Sequence, residues 1–490
     1  MQKRIVAISC AVVLLLASTI GRIAYITFSG NYTVSSGYNS YSLTVSRLYE
    51  TVYDRNMNKL NNNKKTLVAV IKPTQNCMNE LNKLFTQKEI KEIAEELSNG
   101  KPVVKEIQHY ASTKYIKIFE TTKSNDCLLS KMIKNTDEIS YEMKINFTVD
   151  AKGRILEGDA GTVEKTVDNL KSGTVLTVDE NIQQAVEEAA QSIKKGAVVV
   201  MDVETSQILA LYSTPNDYLN RSLNPYSVGS VFKLIASACA LENKINPEYN
   251  CTGSITVGDT IFSCLHEKAH GKQTMKEALA NSCNTYFVNL ALTLGSERLL
   301  STASSFGFGG EVSLTDNITV NNGNLPSASE LESKGLLALF GFGQGSLTAS
   351  PLAFCSAVCA IANGGIYNQP SFILGKADEN GTLSYTENRE EGTRVISQET
   401  AVILQEYMRY VVTNGTASSA EYDNNSAGKT STAQSGVYEN GKEVLNTWFA
   451  GFYPYSNPKY AIVVLTEDGT TGSENCCPVF RSIVEKISKL

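Results

Sequence analysis

The chain is poor in histidine and has no run of like charge, and each shortage narrows what it can do. Three histidines occur in 490 residues, His109, His266 and His270, so a serine-histidine-aspartate triad has few candidates, and none of them accompanies a nucleophile elbow. Charged residues make up 19% of the chain, the formal net charge is -6 and no basic run is present, a balance that argues against nucleic acid as a partner. No unit of the solenoid or propeller kind repeats along the chain. The apolar amino terminus is not followed by an A-x-A type cleavage site. Apolar residues are there in ordinary measure, 42% of the total, enough for a sizeable core, and the length fits two to three domains.

Lys3 and Arg4 precede an uncharged stretch at 5–20, and beyond Arg22 the apolar character resumes as far as Phe28. Counted to Phe28 the stretch is long enough to span a bilayer, and the flanking charges put its amino end in the cytoplasm. Residues 1–28 are therefore read as a cytoplasmic tail and a retained transmembrane signal anchor, with a cleaved signal peptide as the alternative. The rest of the chain is then extracytoplasmic, held at the cell membrane by a single pass. Residues 29–150 form a separate module of mixed type, with a strand over 66–71 and an amphipathic helix over 87–97 whose apolar positions are 90, 93 and 97. Nothing in it pairs a nucleophile with a base, which leaves it as a spacer or pedestal. Eleven cysteines are an odd number. Cys251 and Cys264 flank a short glycine-containing segment and are candidates for a bridge, whereas the adjacent Cys476 and Cys477 cannot pair with each other without strain. So many thiols in an exported protein fit a reducing or anaerobic habitat.

From about residue 150 the pattern changes. A helix is predicted over 180–193, strands over 196–203 and 207–212, an apolar helix within 225–242, and a helical stretch at 273–295 interrupted at 281–284. Strands over 426–436, 447–453 and 460–466 and a closing helix over 478–490 follow, with Asn440-Gly441 as a hairpin turn. Strands, a helical block, strands and a last helix describe an α+β domain over 151–490, an antiparallel sheet flanked by helices.

One residue in this domain breaks the apolar pattern. Between Arg221 and Glu242 the only charge is Lys233, on a helix without a polar face, and such a helix is buried. An ammonium there is costly unless it is paired or loses its proton. Ser230 lies three residues earlier, on the same helical face, and Gly229 before it permits a tight approach. Two readings are open: a hydroxyl nucleophile beside its neutral amine base, or a capping serine with a lysine that snorkels to solvent. The companions of the pair bear on the choice. Ser282 and Asn284 stand at the helix interruption, and Lys429, Thr430, Ser431 and Thr432 follow one another on a strand. The order S-x-x-K, S-x-N, K-T-S, with separations of 52 (282 minus 230) and 147 (429 minus 282) residues, matches the motif set of penicillin-binding proteins and serine β-lactamases.

The chain as a whole resembles class B penicillin-binding proteins. Beside the three motifs, YDRN at 53–56, GTVE at 161–164 and the segments 176–189, 196–211, 341–351 and 446–454 are similar to that family's. The resemblance implies a penicillin-binding/serine β-lactamase-like transpeptidase domain, an amino-terminal pedestal and a single membrane anchor helix, as in the short bitopic members. It implies a peptidoglycan D,D-transpeptidase: Ser230 attacks the carbonyl between the last two D-alanines of a stem peptide, D-alanine leaves, and the amine of a neighbouring stem resolves the acyl-enzyme. β-Lactams acylate the same serine. Lys233 is implied as the base, kept neutral by burial and by the charge of Lys429, with Ser282 relaying a proton and Asn284 holding the substrate amide. Lys429 and Thr430 are implied to bind the terminal carboxylate, and the backbone N–H groups of Ser230 and Thr432 to form the oxyanion hole.

The family has a glycine where this chain has Ser431, a change expected to narrow the groove or to add a hydrogen bond, and so to bear on β-lactam affinity. A SEDS-type glycan polymerase is the implied membrane partner. No cofactor and no metal are called for. The run HEKAH at 266–270 fits the zincin pattern, but Gly271 stops a helix at once. The glycines of GFGQG at 341–345 mimic a phosphate loop without its lysine, which leaves them as a tight turn beside the active site. The rival readings are a D,D-carboxypeptidase or β-lactamase-type hydrolase, and a non-catalytic β-lactam-binding sensor or scaffold.

Overall fold

The computed structural model describes the chain apart from residues 1, 30–39, 50, 61, 126–128, 130–131, 133–138, 151, 157, 168–171, 216–218, 316–317 and 387–390, and in the first helix it describes side chains for residues 9–25. Two compact units emerge. One comprises Met1–Leu48, Asn63–Lys123 and Ile139–Asp168, the other Tyr49–Asn62, Ser124–Glu138 and Asn169–Leu490. The division is not the single cut near residue 150 that the sequence suggests, because an early segment belongs to the second unit. The short strand Thr51–Tyr53 runs parallel to Gly173–Leu176. Asp54 follows it, fully buried, and its carboxylate accepts from the N–H groups of Asn56 at 2.9 Å, Asn58 at 2.7 Å and Glu180 at 3.2 Å. A buried carboxylate needs such donors. The YDRN segment is thus a corner that also caps helix Glu180–Ala189.

The first unit begins with helix Gln2–Ser29, on which Val12, Val13, Leu14, Leu15, Leu16, Ile20 and Ile23 are exposed. Among the described residues no helix is long and apolar enough to cross a membrane. The span expected over 5–28 runs past the described side chains at both ends, with 5–8 and 26–28 outside them. Further on, strand Asn62–Ile71 lies between Val103–Ile107 and Lys117–Asn125. Helix Gln87–Leu97 starts on a capping box of Thr86 and Glu89 and buries Ile93 and Leu97, packed with Ala69, Ile71, Leu81 and Ile107, as its apolar spacing predicts. Thr162–Val167, which carries most of the GTVE run, pairs antiparallel with Ile139–Thr148.

The second unit is built on a five-stranded sheet in the order Ile208–Ser213, Gly196–Asp202, Tyr460–Glu467, Lys442–Tyr453, Ala427–Glu439, every neighbour antiparallel. The α+β expectation holds, and the strands fall where the sequence puts them. Val198, Val199 and Val200 are all fully buried, so the sheet is covered on both faces. The Trp448 ring lies 6.2 Å from Phe354 and the Phe449 ring 4.6 Å from Phe480. Adjacent strand residues point to opposite faces, so helix Pro351–Ala362 covers one face and helix Cys477–Ile487 the other. Every residue of Pro351–Ala362 is buried. Asn440 and Gly441 both have positive φ, 51° and 77°, the backbone of a two-residue hairpin turn, and they leave Ala427–Glu439 as the last strand on that side of the sheet.

Candidate active site

Three consecutive residues ahead of Ser230 are each tied to a different element. Trp448 Nε1 donates to the Ser227 carbonyl at 2.9 Å, Ser431 Oγ to the Val228 carbonyl at 2.7 Å, and the Gly229 N–H to the Gly343 carbonyl at 2.9 Å. The approach is too close for side chains. A Cβ on Gly229, where φ is 58°, would meet Ser431 Oγ at 2.6 Å, and one on Gly343, where φ is 84°, would meet the Gly229 carbonyl oxygen at 2.0 Å. Glycine is required at both positions, and the GFGQG run is the tight turn its composition suggests.

Gly229–Phe232 is a 3-10 turn and Lys233 opens the α-helix Lys233–Glu242. Ser230 lies inside the 3-10 turn and Lys233 at its end, so the pair sits at a junction of two helix types and not on one α-helical face as the sequence suggests; the hydrogen bonds of the amine go to the second motif. Ser230 is half-buried and Lys233 fully buried. The hydroxyl can be reached from outside and the amine cannot, which removes the reading of a lysine snorkelling to water.

Lys233 Nζ donates to the Ser282 carbonyl at 2.8 Å, to Ser282 Oγ at 3.3 Å and to Asn284 Oδ1 at 2.8 Å, and lies 5.5 Å from the centre of the Phe287 ring. Burial pushes its pKa down to about 7, against an opposing pull from the Cys283 and Cys264 thiols. Buried lysines can reach about 5–6 by desolvation alone, so no neighbouring charge is needed. The sequence reading gave Lys429 a share in this, but burial comes first for both amines. Lys429 is itself fully buried, and its amine is held well below the usual lysine range by desolvation first and by the charge of Lys233 second.

Ser282 sits where the sequence interrupts its helices, between Met275–Ala280 and Asn284–Leu294, and Asn284 opens the second of them. Ser282 has φ 52°, a left-handed conformation uncommon outside glycine. The Asn284 amide is engaged at both ends, its Oδ1 by Lys233 and its Nδ2 by the Ser263 carbonyl at 2.9 Å. In this state its amide holds the lysine and the 263 segment, where the sequence reading reserved it for a substrate amide.

Lys429, Ser431 and Ala433 share one face of their strand, and a Cβ on Gly229 would touch both Ser431 and Ala433, so that face is turned to the Ser230 turn. Lys429 Nζ donates to the Thr430 carbonyl at 2.8 Å. The Thr430 hydroxyl meets Thr416 Oγ1 at 2.6 Å, and the Thr416 N–H donates to the Ala280 carbonyl at 3.2 Å. Thr416, which no sequence motif marks, thereby joins the third motif to the helix that leads into the second. Thr432 is exposed. Of the two effects expected of Ser431, the structure displays the hydrogen bond: the side chain is buried and its hydroxyl turns inward to Val228.

The HEKAH run is not a helix, since His266 and Glu267 have φ 55° and 53°. The bridge expected between Cys251 and Cys264 is not formed. Their sulfurs are 3.7 Å apart, and every described cysteine is free. Cys264 Sγ is also 3.7 Å from Cys283 Sγ, and Cys251 Sγ is 3.4 Å from His270 Nδ1. The sequence reading missed this cluster.

Residues 196–485 match the family model described as the penicillin binding protein transpeptidase domain. Among curated proteins, the chain is 29% identical over 357 residues to stage V sporulation protein D of Bacillus subtilis, covering 66% of this chain and 54% of that one. It is 29% identical over 374 residues to the peptidoglycan D,D-transpeptidase MrdA of Haemophilus influenzae, covering 63% and 55%. The chain thus spans about half the length of the curated relatives it matches. Among solved structures, a penicillin-binding protein A acyl-enzyme complex from M. tuberculosis superposes with a TM-score of 0.58 at 25% identity, covering 65% of this chain and 81% of that one. With the family model matching more than half of its length and the three motifs meeting at one turn of the fold, the chain belongs to the penicillin-binding protein transpeptidase family.

Proposed function

We propose that this chain is a peptidoglycan D,D-transpeptidase that works through an acyl-enzyme on Ser230 and is acylated there by β-lactams. The observation that carries the reading is Lys233, a fully buried amine three residues after the half-buried Ser230 and bonded to Ser282 and Asn284 of the second motif, with burial lowering its pKa to about 7. Support also comes from the relative named as a peptidoglycan D,D-transpeptidase and from the acyl-enzyme complex of the structural neighbour.

In this scheme Lys233 Nζ takes the Ser230 proton as Oγ attacks the carbonyl carbon between the two terminal D-alanines. The oxyanion forms against the N–H groups of Ser230 and Thr432; the first N–H groups of a helical turn have no partner within it. The peptide C–N bond breaks, Ser282 passes the proton from Lys233 to the leaving amine, and D-alanine departs. The amine of a second stem peptide then attacks the ester, and Ser230 leaves with a proton returned. Desolvation lowers the pKa of the Lys429 amine in the free site, and the arrival of the substrate carboxylate favours its charged form.

A fluorescent penicillin labels the wild-type chain covalently and does not label Ser230→Ala; persistent labelling of that variant contradicts the assignment. On polymerised lipid II the expected product is a cross-linked dimer of stems, and trimmed stems alone would favour the hydrolase reading. The acylation rate follows the neutral fraction of Lys233. Below about 7 the amine holds its proton and cannot accept another, so the rate rises as pH passes through about 7 and levels off above it. A stopped-flow profile that is flat from pH 5 to 9, or that falls above 7, contradicts the role given to Lys233.

The exposed apolar side chains of helix Gln2–Ser29, together with Lys3 and Arg4 before them, support an anchor that holds the catalytic unit outside the cell membrane, where a SEDS-type polymerase is the proposed partner. The full chain is expected to stay with carbonate-washed membranes and to co-purify with that polymerase in mild detergent. Release of the full chain by the wash removes the anchor, and its recovery without polymerase removes the partner.

A further inference from the structure

We infer that Cys251, Cys264, Cys283 and His270 form a tetrahedral zinc site, and that its metal fixes the turn on which the catalytic base rests. Their donor atoms all lie within 4.8 Å of one another. The two Sγ–Sγ separations of 3.7 Å and the Sγ–Nδ1 separation of 3.4 Å are far beyond a disulfide bond. They agree with the edges of a tetrahedron around an ion with bonds of about 2.3 Å to sulfur and about 2.0–2.1 Å to nitrogen, which come to about 3.8 and 3.6 Å. Three thiolates and one imidazole are a soft, nitrogen-containing set suited to zinc, and four protein ligands make a closed structural site rather than a catalytic one.

The backbone brings these residues together from three places. Cys251 ends strand Tyr249–Cys251 and is paired with Gly271, the residue after His270. Cys264 follows the hairpin Ser254–Val257 and Thr260–Ser263, and its N–H bonds the Gly253 carbonyl at 2.8 Å. Cys283 lies between Ser282 and Asn284. The three cysteines are buried and polar donors surround the sulfurs, as metal-bound thiolates require. The Thr285 hydroxyl is 3.2, 3.4 and 3.7 Å from the sulfurs of Cys251, Cys283 and Cys264, and the Gly253 N–H is 3.4 Å from Cys251.

Residues 249–273 form a small excursion of two-stranded pieces, with Val257 and Phe262 as its buried apolar side chains against Val288 and Ala338. A segment with so little core is commonly stapled by a disulfide or a metal, and no disulfide is present here. The site also reaches the chemistry. Lys233 donates to both neighbours of Cys283, so a metal on that sulfur pins the carbonyl of the left-handed Ser282 and the side-chain amide of Asn284 in the positions that receive the amine. The sequence reading assigned no metal and discarded the histidine run because it is not a helix. His270 takes part instead through a cysteine-rich set.

The full-length chain, purified in detergent without added chelator, is expected to carry about one zinc per chain by inductively coupled plasma mass spectrometry. Cys264→Ser and His270→Ala each lower this to below about a fifth, while Cys77→Ser, outside the cluster, keeps it. Cobalt supplied to the stripped chain gives the ligand-field and thiolate charge-transfer bands of a tetrahedral site. Stripping is expected to slow penicillin acylation by about ten- to a hundredfold, with recovery on zinc addition. A metal-free wild type that binds no cobalt overturns the inference, as does a Cys251–Cys264 disulfide in a non-reduced peptide map or undiminished zinc in both variants. If Cys264→Ser fails to fold, the wild-type stoichiometry, its cobalt spectrum and His270→Ala still decide the matter. Metal content is read independently of acyl transfer, so a silent Ser230 and an absent zinc are separate failures.

Discussion

The molecule depends on keeping one amine dry. Lys233 is the first residue of a helix whose other faces are filled by apolar side chains, and its three acceptors are a carbonyl, a hydroxyl and an amide oxygen. None of the three is a carboxylate. A carboxylate partner would raise the lysine and make it a poor base; neutral acceptors satisfy its hydrogen bonds without stabilising its charge to the same degree. Burial therefore favours the neutral form, whose two N–H groups serve the two short bonds, to the Ser282 carbonyl and Asn284 Oδ1, and whose lone pair is left for a hydroxyl.

That arrangement is useful only if the hydroxyl one 3-10 turn away is held as firmly as the amine. The turn is fastened by the central sheet through Trp448, by the strand of the third motif through Ser431, and by the glycine turn at 343. The resemblance gives the three motifs the roles of nucleophile, relay and carboxylate binder. Here the third motif also positions the first. The serine that replaces glycine at 431 does so with its own side chain, bonding the residue two places before the nucleophile, and its hydroxyl turns away from the groove.

Most of the sheet was legible in the sequence because strand patterns are local. The continuous apolar run at 196–203, the turn at Asn440-Gly441 and the alternation before it are each visible within ten residues. Lys233 was legible for the opposite reason, as a charge in a stretch that otherwise excludes charge. The 3-10 form of the Ser230 turn was not, since a serine and a lysine three apart serve either helix. Bonds such as Trp448 to Ser227 or Thr416 to Thr430 join residues from different elements and leave no periodic trace. The same holds for Thr51–Tyr53, which the chain order assigns to the pedestal and the hydrogen bonds assign to the second unit. The cysteine cluster escaped because its spacing, C-x12-C-x5-H-x12-C, contains no close pair of ligands, and close pairs are what make a metal motif recognisable.

The chemistry rests on the protonation of Lys233 in the resting protein. Nitrogen-15 NMR of the lysine-labelled full chain in detergent micelles, with the resonance assigned by its loss in Lys233→Met, reads it directly. Nζ of Lys233 is expected to titrate near 7, far below the usual lysine value of 10.5. An Nζ at Lys233 that stays protonated beyond pH 9 would contradict it.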